Sequence, residues 1–413
     1  MDEVVHMSQP EGYHEGPPPG DHEEMVCLLK KAIYGTKQAQ RCADKELKKA
    51  LRELGIVSTS SDDSLYYARE EDKIFLCAMY VDDGLCFGND NDFVQEKLDG
   101  LRKIFDIITV KNPNVFLSLQ IERDRVKGTT LLHQESSVMK LLGATDMMDC
   151  KPAKTPMQTG LTLPNPSDVI MPPDAHRFRF QSYVGQLLWL LGTRIDLCFA
   201  INVLSRYMSK WDDQAIVMLK RVVRYLKGKE KYGLVYLRGP KDAKIQDADD
   251  EPTKANFLAD ADHASREYDS KTTGSHIGTF GDNTISFSTK AHAIGISTSS
   301  GQAEALTCKT VCHFIEWCSG LLKEIKLRGS GPITLLQDNQ SVISLSVNPV
   351  NHKRSKHYRV AMSYVRDLVQ RRIVELKYCS SEEMAADVLT KALPENQHWK
   401  LLKMVRFGKL EWF

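Results

Sequence analysis

The sequence predicts an α/β protein: an α+β segment followed by a mixed α/β domain on a five-stranded sheet. Three observations lead there. The strand-length apolar run Lys73–Tyr80 and the start of a second, Leu85–Gly88, flank the turn Val81-Asp82-Asp83-Gly84, a β-hairpin signal with two acids at its tip. Pro152, Pro156, Pro164, Pro166, Pro172 and Pro173 crowd one short stretch, which no helix or central strand tolerates. From residue 256 onward the pattern runs strand, strand, strand, helix, strand, helix, helix, strand, helix.

Taken in order, residues 1–24 are polar and carry Gly16-Pro17-Pro18-Pro19-Gly20, the mark of an irregular arm. Residues 25–149 form the α+β segment, with helical patterning from Met25 to about Gly55, the hairpin, a helix near Asp92–Phe105, and short strands at Asn114–Arg123 and Gly128–Gln134. The Pro-rich stretch 150–174 reads as a linker. Residues 175–238 read as two helices between Phe180 and Lys231, and 239–255 as an acidic loop. In the last domain, 256–394, Asn256–Asp262, Ser275–Phe280 and Thr284–Ser288 are successive strands. Val311, Phe314, Ile315, Cys318, Leu321, Leu322 and Ile325 recur at helical spacing within Gln302–Lys326. Ile333–Gln337 is a buried strand, helices run to about Arg371, Val374–Tyr378 is the fifth strand, and a last helix starts at Glu382. Residues 395–413 are left as a C-terminal tail.

Composition excludes several classes. The 413 residues are 42% hydrophobic and 26% charged, as in a globular protein that buries its own cores. Long apolar runs are absent; Leu187–Leu191 falls far short of the roughly 20 residues that span a bilayer. No charged-then-apolar leader opens the chain. The ten cysteines lack C-x-x-C spacing, and Cys308, Cys312 and Cys318 share a helix as small buried hydrophobes rather than metal ligands. These features point to an intracellular protein, cytoplasmic or nuclear and not secreted. Net charge is only +1, yet Lys220, Arg221, Arg224, Lys227, Lys229 and Lys231 crowd one stretch. His352, Lys353, Arg354, Lys356, His357 and Arg359 crowd another. Such clusters suit phosphate contact, although many basic clusters are merely solvated faces.

Four acids of the last domain stand where metal-assisted phosphodiester hydrolysis would need them. Asp260 is on the first strand, Glu304 in the first turn of the long helix, Asp338 at the end of the fourth strand, and Asp387 on the terminal helix. Two divalent ions about 3.5–4 Å apart can activate a water and neutralise charge on the leaving oxygen. Mg²⁺ prefers carboxylate oxygens, so three or four convergent acids suffice. Singly, each position has a bland structural explanation, because acids are common at strand ends and in first helical turns. The combination in this order carries the reading.

The flanking residues add a family resemblance. Leu258-Ala-Asp-Ala-Asp-His263, Thr273-Gly274, Ile285–Lys290, Ser299–Glu304, Gln337-Asp-Asn-Gln-Ser341, Asn348–His352, Ser355-Lys-His357 and Ala386-Asp-Val-Leu-Thr-Lys391 resemble, in order, the landmarks of the ribonuclease H domain of copia-type retrotransposons. The resemblance implies that Asp260, Glu304, Asp338 and Asp387 bind Mg²⁺ or Mn²⁺ and act catalytically, with Asp262 a neighbour on the strand. His263, Phe287 and Arg359 stand where the family usually has Trp, Trp and Asp. Upstream, Ser8–Gly12, Leu29–Gly35, Lys37–Ala39, Tyr80-Val81-Asp82-Asp83, Ile121–Arg123, Cys150–Pro152, Thr155–Met157, Thr193-Arg194 with Asp196, and Arg224–Gly228 resemble the copia-type reverse transcriptase and its connection region. By that resemblance 25–149 is a truncated palm, 175–238 a thumb or connection region, and Asp82 and Asp83 are metal-binding. Gln40, Ala43 and Ser118 depart from the family pattern, Ser118 standing where it has a glycine.

The family's polymerase needs a third acid on a strand upstream of this chain's first residues. The expectation is therefore a protein whose polymerase is lost by truncation and whose ribonuclease H domain cleaves RNA in RNA–DNA hybrids, with nucleic acid as partner. The alternative is a catalytically inactive nucleic-acid-binding relic of a retroelement. An integrase or other transposase fits poorly, since the acid spacing differs and no His/Cys zinc module precedes the domain.

Overall fold

Strand-length segments interrupted by turns at Glu71-Asp72 and Val81-Asp82 give an antiparallel meander over residues 57–88. In the computed structural model, which describes residues 4–12, 25–33, 35–36, 39–161, 164–173, 178–239, 255–262, 272–291, 299–329, 331–348 and 359–413, β1 (His6–Ser8) pairs antiparallel with β2 (Val26–Leu28). Helix α1 (Ala39–Glu53) leads into β3 (Val57–Ser58), β4 (Leu65–Glu70), β5 (Lys73–Tyr80) and β6 (Asp83–Gly88), which pair in sequence order. Helix α2 (Asn91–Arg102) starts where the Asp90 carboxylate accepts from the Phe93 N–H. Leu51, Ile56, Tyr66, Phe75, Cys77, Phe93 and Leu101 form the core beneath this sheet. The helical patterning expected from Met25 holds only from Ala39, because Val26–Leu28 finds its hydrogen bonds on β1 instead.

The chain divides into two compact units, 1–109 and 110–413, so the division falls inside the segment 25–149 and not at the prolines. The second unit opens with β7 (Val115–Phe116), β8 (Leu119–Asp124), β9 (Thr129–His133) and α3 (Glu135–Ala144). Three helices, α4 (Phe180–Leu190), α5 (Cys198–Ser205) and α6 (Asp213–Leu226), occupy the region where two were expected. The stretch read as a linker is packed: Ala153, Met157 and Val169 are buried with α3–α6 in one apolar cluster. Arg221 Nη2 donates to Thr155 Oγ1 at 3.1 Å and Arg224 Nε to the Lys151 carbonyl at 2.8 Å, tying that stretch to α6.

Strand β10 (Gly233–Leu237) pairs with β9 over five residue pairs, which is why the strands after Thr109 belong with the second unit. The catalytic-looking domain follows: β11 (Ala255–Asp262), β12 (Thr273–Phe280), β13 (Asn283–Ala291), α7 (Ser300–Glu324), β14 (Ile333–Gln337), α8 (Gln340–Val347), α9 (Arg359–Gln370), β15 (Val374–Tyr378) and α10 (Asp387–Thr390). The sheet order is β13-β12-β11-β14-β15, with β14 and β15 parallel to β11 and the first three strands antiparallel. The Phe257 ring lies against Gly278 on the neighbouring strand, where any Cβ would strike it. The last helix begins later than Glu382, as the four-residue α10, and Pro394 separates it from α11 (Glu395–Met404). Residues 395–413 are no tail: Leu401, Leu402 and Val405 are buried, and β16 (Phe407–Gly408) pairs with Gly233 and Leu234 of β10. Cys308, Cys312 and Cys318 are buried in α7.

Candidate active site

Asp260 is carried by the central strand β11, where it pairs with Ser275 of β12 two residues beyond the last β11–β14 pair at Leu258; its side chain is 1% exposed. Glu304 lies one turn inside α7, later than the first-turn position expected. Ser299 caps that helix by accepting from the Gln302 N–H. Asp338 follows the last residue of β14, parallel to β11, and α10 begins at Asp387. Two hydroxyls pin α10 to the sheet. Ser275 Oγ of β12 donates to the Ala386 carbonyl at 3.2 Å, and Thr289 Oγ1 of β13 to that of Leu389 at 3.0 Å.

Carboxylate oxygens of Asp260, Glu304 and Asp338 lie within 4.8 Å of one another. Burial, and then the Asp260 charge, push the Glu304 carboxyl up to about 8. Both of its oxygens are oriented: Gln337 Nε2 donates to Oε2 at 2.9 Å, and the Ala261 N–H to Oε1 at 3.4 Å. Ser381 Oγ donates to Asp338 Oδ2 at 3.2 Å. Asp387 is outside that trio yet close to Asp260, and burial followed by the Asp260 charge push its carboxyl up to about 6. Lys391 Nζ bridges the second pair, 2.8 Å from Asp387 Oδ1 and 3.5 Å from Asp260 Oδ1. Burial works against the Lys391 ammonium, but the two carboxylates outweigh it and hold its pKa above the ordinary range. Thr390 Oγ1 donates to Asp260 Oδ2.

The four acids thus meet as a trio and a pair that share Asp260. Sequence reasoning missed Gln337, Thr390 and Lys391 as supporting residues. Lys391 stands four residues after Asp387 on a helical stretch, a spacing that signals a pair. Asp262 is half-buried and not part of the trio.

The other expected sites fare differently. Asp82 and Asp83 are exposed at the β5–β6 tip, with Asp83 paired to Tyr80, and among the described residues no third acid joins them in a metal-capable group. On and after α6, Lys220 is exposed with its Nζ 6.0 Å from the Phe178 ring centre, while Arg221 and Arg224 hold the Pro-rich stretch. Lys227 lies 3.9 Å from Glu230. Lys353, Arg354 and Lys356, like His263, lie outside the described residues.

The family described as reverse transcriptase (RNA-dependent DNA polymerase) matches residues 1–159. The Retrovirus-related Pol polyprotein from transposon RE2 of Arabidopsis thaliana is 33% identical over 393 residues, 95% of this chain and 26% of its own length. That from transposon TNT 1-94 of Nicotiana tabacum is 27% identical over 402 residues, covering 96% of this chain and 29% of its own length. The chain thus matches the reverse transcriptase family over its first 159 residues and is similar along nearly all of its length to copia-type retrotransposon Pol polyproteins.

The chain spans about a quarter of the length of the curated relatives it matches. Solved structures similar to it include a foamy viral protease–reverse transcriptase in complex with an RNA/DNA hybrid, at 12% identity and TM-score 0.41 over 89% of this chain and 41% of that one. A ribonuclease H1 isolated from compost, LC11, is similar at 15% identity and TM-score 0.27, over 33% of this chain and 92% of that one. No described helix is long and apolar enough to cross a membrane.

Proposed function

We propose that this chain hydrolyses RNA in RNA–DNA hybrids at the site formed by Asp260, Glu304, Asp338 and Asp387, with Mg²⁺ or Mn²⁺ as the bound cation. One observation carries the reading: three buried or half-buried carboxylates, from a strand, a helix and a strand end, bring oxygens within 4.8 Å of one another. Two unit charges at ~4 Å repel by about 4 kcal/mol at an effective dielectric near 20. A fold gains no stability by gathering them, so their convergence argues for a cation. The donor set fits one: hard carboxylate oxygens suit Mg²⁺ or Mn²⁺ and leave room for coordinated waters.

When bound, the cation supplies Lewis-acid activation of water and neutralises charge on the phosphate oxygens. Asp260, Glu304 and Asp338 would hold it, and the Gln337 amide and Ala261 N–H keep the Glu304 oxygens aimed into the site. Glu304, protonated near neutral pH, gives up that proton as the cation is taken up. Lys391 offsets the charges of Asp260 and Asp387, and Thr390 fixes the second Asp260 oxygen. Lys220, Lys227, Lys353, Arg354 and Lys356 are proposed to meet backbone phosphates.

Purified chain incubated with end-labelled RNA annealed to DNA tests the proposal. Mg²⁺- or Mn²⁺-dependent cleavage that disappears in Asp338→Asn supports it, whereas a folded protein no more active than that variant leaves the inactive-relic reading. Nucleotide transfer is outside the proposal, since Asp82 and Asp83 have no third described acid beside them. Primer extension by this chain, abolished in Asp82→Asn, would overturn that exclusion.

A further inference from the structure

The β5–β6 hairpin carries a feature unconnected with the site in the second unit. Cys77 of β5 and Cys86 of β6 are directly opposed, three register steps behind Tyr80 and Asp83, which close the turn. Antiparallel pairs alternate between hydrogen-bonded and non-hydrogen-bonded, and a two-residue hairpin is closed by a hydrogen-bonded pair. Cys77 and Cys86 therefore fall on a non-hydrogen-bonded pair, where opposing side chains stand closest. Their sulfurs are 3.1 Å apart, and both thiols are free. Cys77 is 2% exposed; Cys86 is half-buried and open to a small reagent. The Met79 sulfur covers Cys77 at 3.5 Å. Gly84 gives it room, since a Cβ there would come within 2.8 Å of that sulfur. Against the effect of burial, the contact with Cys77 pushes the Cys86 thiol down, and the same contact pushes Cys77 up. The turn these residues flank is strained: Val81, a β-branched residue, has φ +55°.

We propose that Cys77 and Cys86 are a reversible dithiol–disulfide pair, oxidised by a small-molecule disulfide of the glutathione class, and that the bond locks the hairpin presenting Asp82 and Asp83. Cys86, the accessible member, attacks as thiolate and expels one glutathione thiolate, leaving a mixed disulfide. Cys77, 3.1 Å away, loses its proton and attacks the Cys86 sulfur, expelling the rest of the glutathione. Two S–H bonds break, one protein S–S bond forms, the two thiols lose two electrons to the glutathione disulfide, and the two protons leave with two glutathione thiols.

The full chain is equilibrated with reduced and oxidised glutathione at a series of ratios. Remaining thiols are then blocked in acid-quenched, unfolded protein, and the chain is cut before aspartates, which separates Cys77 from Cys86. The expected product is one linked pair of peptides, 2 Da lighter than the sum of the free peptides and reversed by dithiothreitol. Amide exchange at residues 78–85 should slow in the oxidised form. Cys77→Ala should trap glutathione on Cys86, whereas Cys86→Ala should leave the buried Cys77 unmodified. Absence of the linked pair at every ratio, linkage spread equally over other cysteines, or equal glutathione capture by the two variants overturns the proposal.

Discussion

Replacing Glu304 by Gln should make the second unit's stability less dependent on pH, and the size follows from the site. In the metal-free fold the Glu304 carboxyl sits near 8 against an ordinary 4.5, from burial and the adjacent Asp260 charge. The folded state therefore binds a proton that the unfolded state has lost between those two values. The sign follows: this stabilisation is complete below about 4.5 and falls away as pH rises toward 8. Each unit inside that window costs about 1.4 kcal/mol, less as the folded value is approached, so pH 6 to 8 should cost about 2 kcal/mol. All five tryptophans, Trp189, Trp211, Trp317, Trp399 and Trp412, lie in the second unit, so their fluorescence during urea unfolding reports on it alone. With chelator present, wild type should lose about 2 kcal/mol relative to Glu304→Gln between pH 6 and pH 8. Parallel stability curves for the two proteins would refute the reasoning, since histidines and other carboxyls contribute equally to both.

Other perturbations test neighbouring parts of the account. Lys391→Met should destabilise the metal-free unit by about 1–2 kcal/mol, discounted because the ammonium is 40% exposed, and Mn²⁺ should restore more stability to it than to wild type. Arg194→Met should cost about 3–5 kcal/mol by leaving buried Asp196 without its 2.7 Å partner, while Arg194→Met with Asp196→Leu should cost less; urea midpoints decide. Ser118, at φ +67° where the family has glycine, should give a Ser118→Gly protein about 1 kcal/mol more stable by the same assay.

Much of the second unit's last domain was legible because its elements announce themselves locally. Ile333–Gln337 is a mainly apolar run between Pro332 and Asp338-Asn339, Val374–Tyr378 alternates apolar and charged residues, and both form strands at those limits. The long helix shifts by only two residues, because its apolar spacing persists and Ser299 marks its start. What escaped depends on distant partners. Val26–Leu28 is a strand only because His6–Ser8 lies beside it, and Phe407 is core only because Leu234 pairs with it. The prolines suggested a linker, since the sequence cannot show that Arg221 and Arg224 reach across to hold that stretch. At the site, the acids were readable as residue types in a given order. The supporting roles of Gln337 and Thr390 exist only once β11, α7, β14 and α10 are brought together.

The central claim is that Asp260, Glu304 and Asp338 converge to hold a divalent cation. Calorimetric titration of Mn²⁺ into the chain at pH 7, in two buffers of different ionisation enthalpy, tests it directly. With the Glu304 carboxyl near 8, the account predicts saturable binding that releases about one proton per ion bound there, and no such release from Glu304→Gln. Absence of binding to folded protein, or binding with the same proton release in Glu304→Gln, would contradict it.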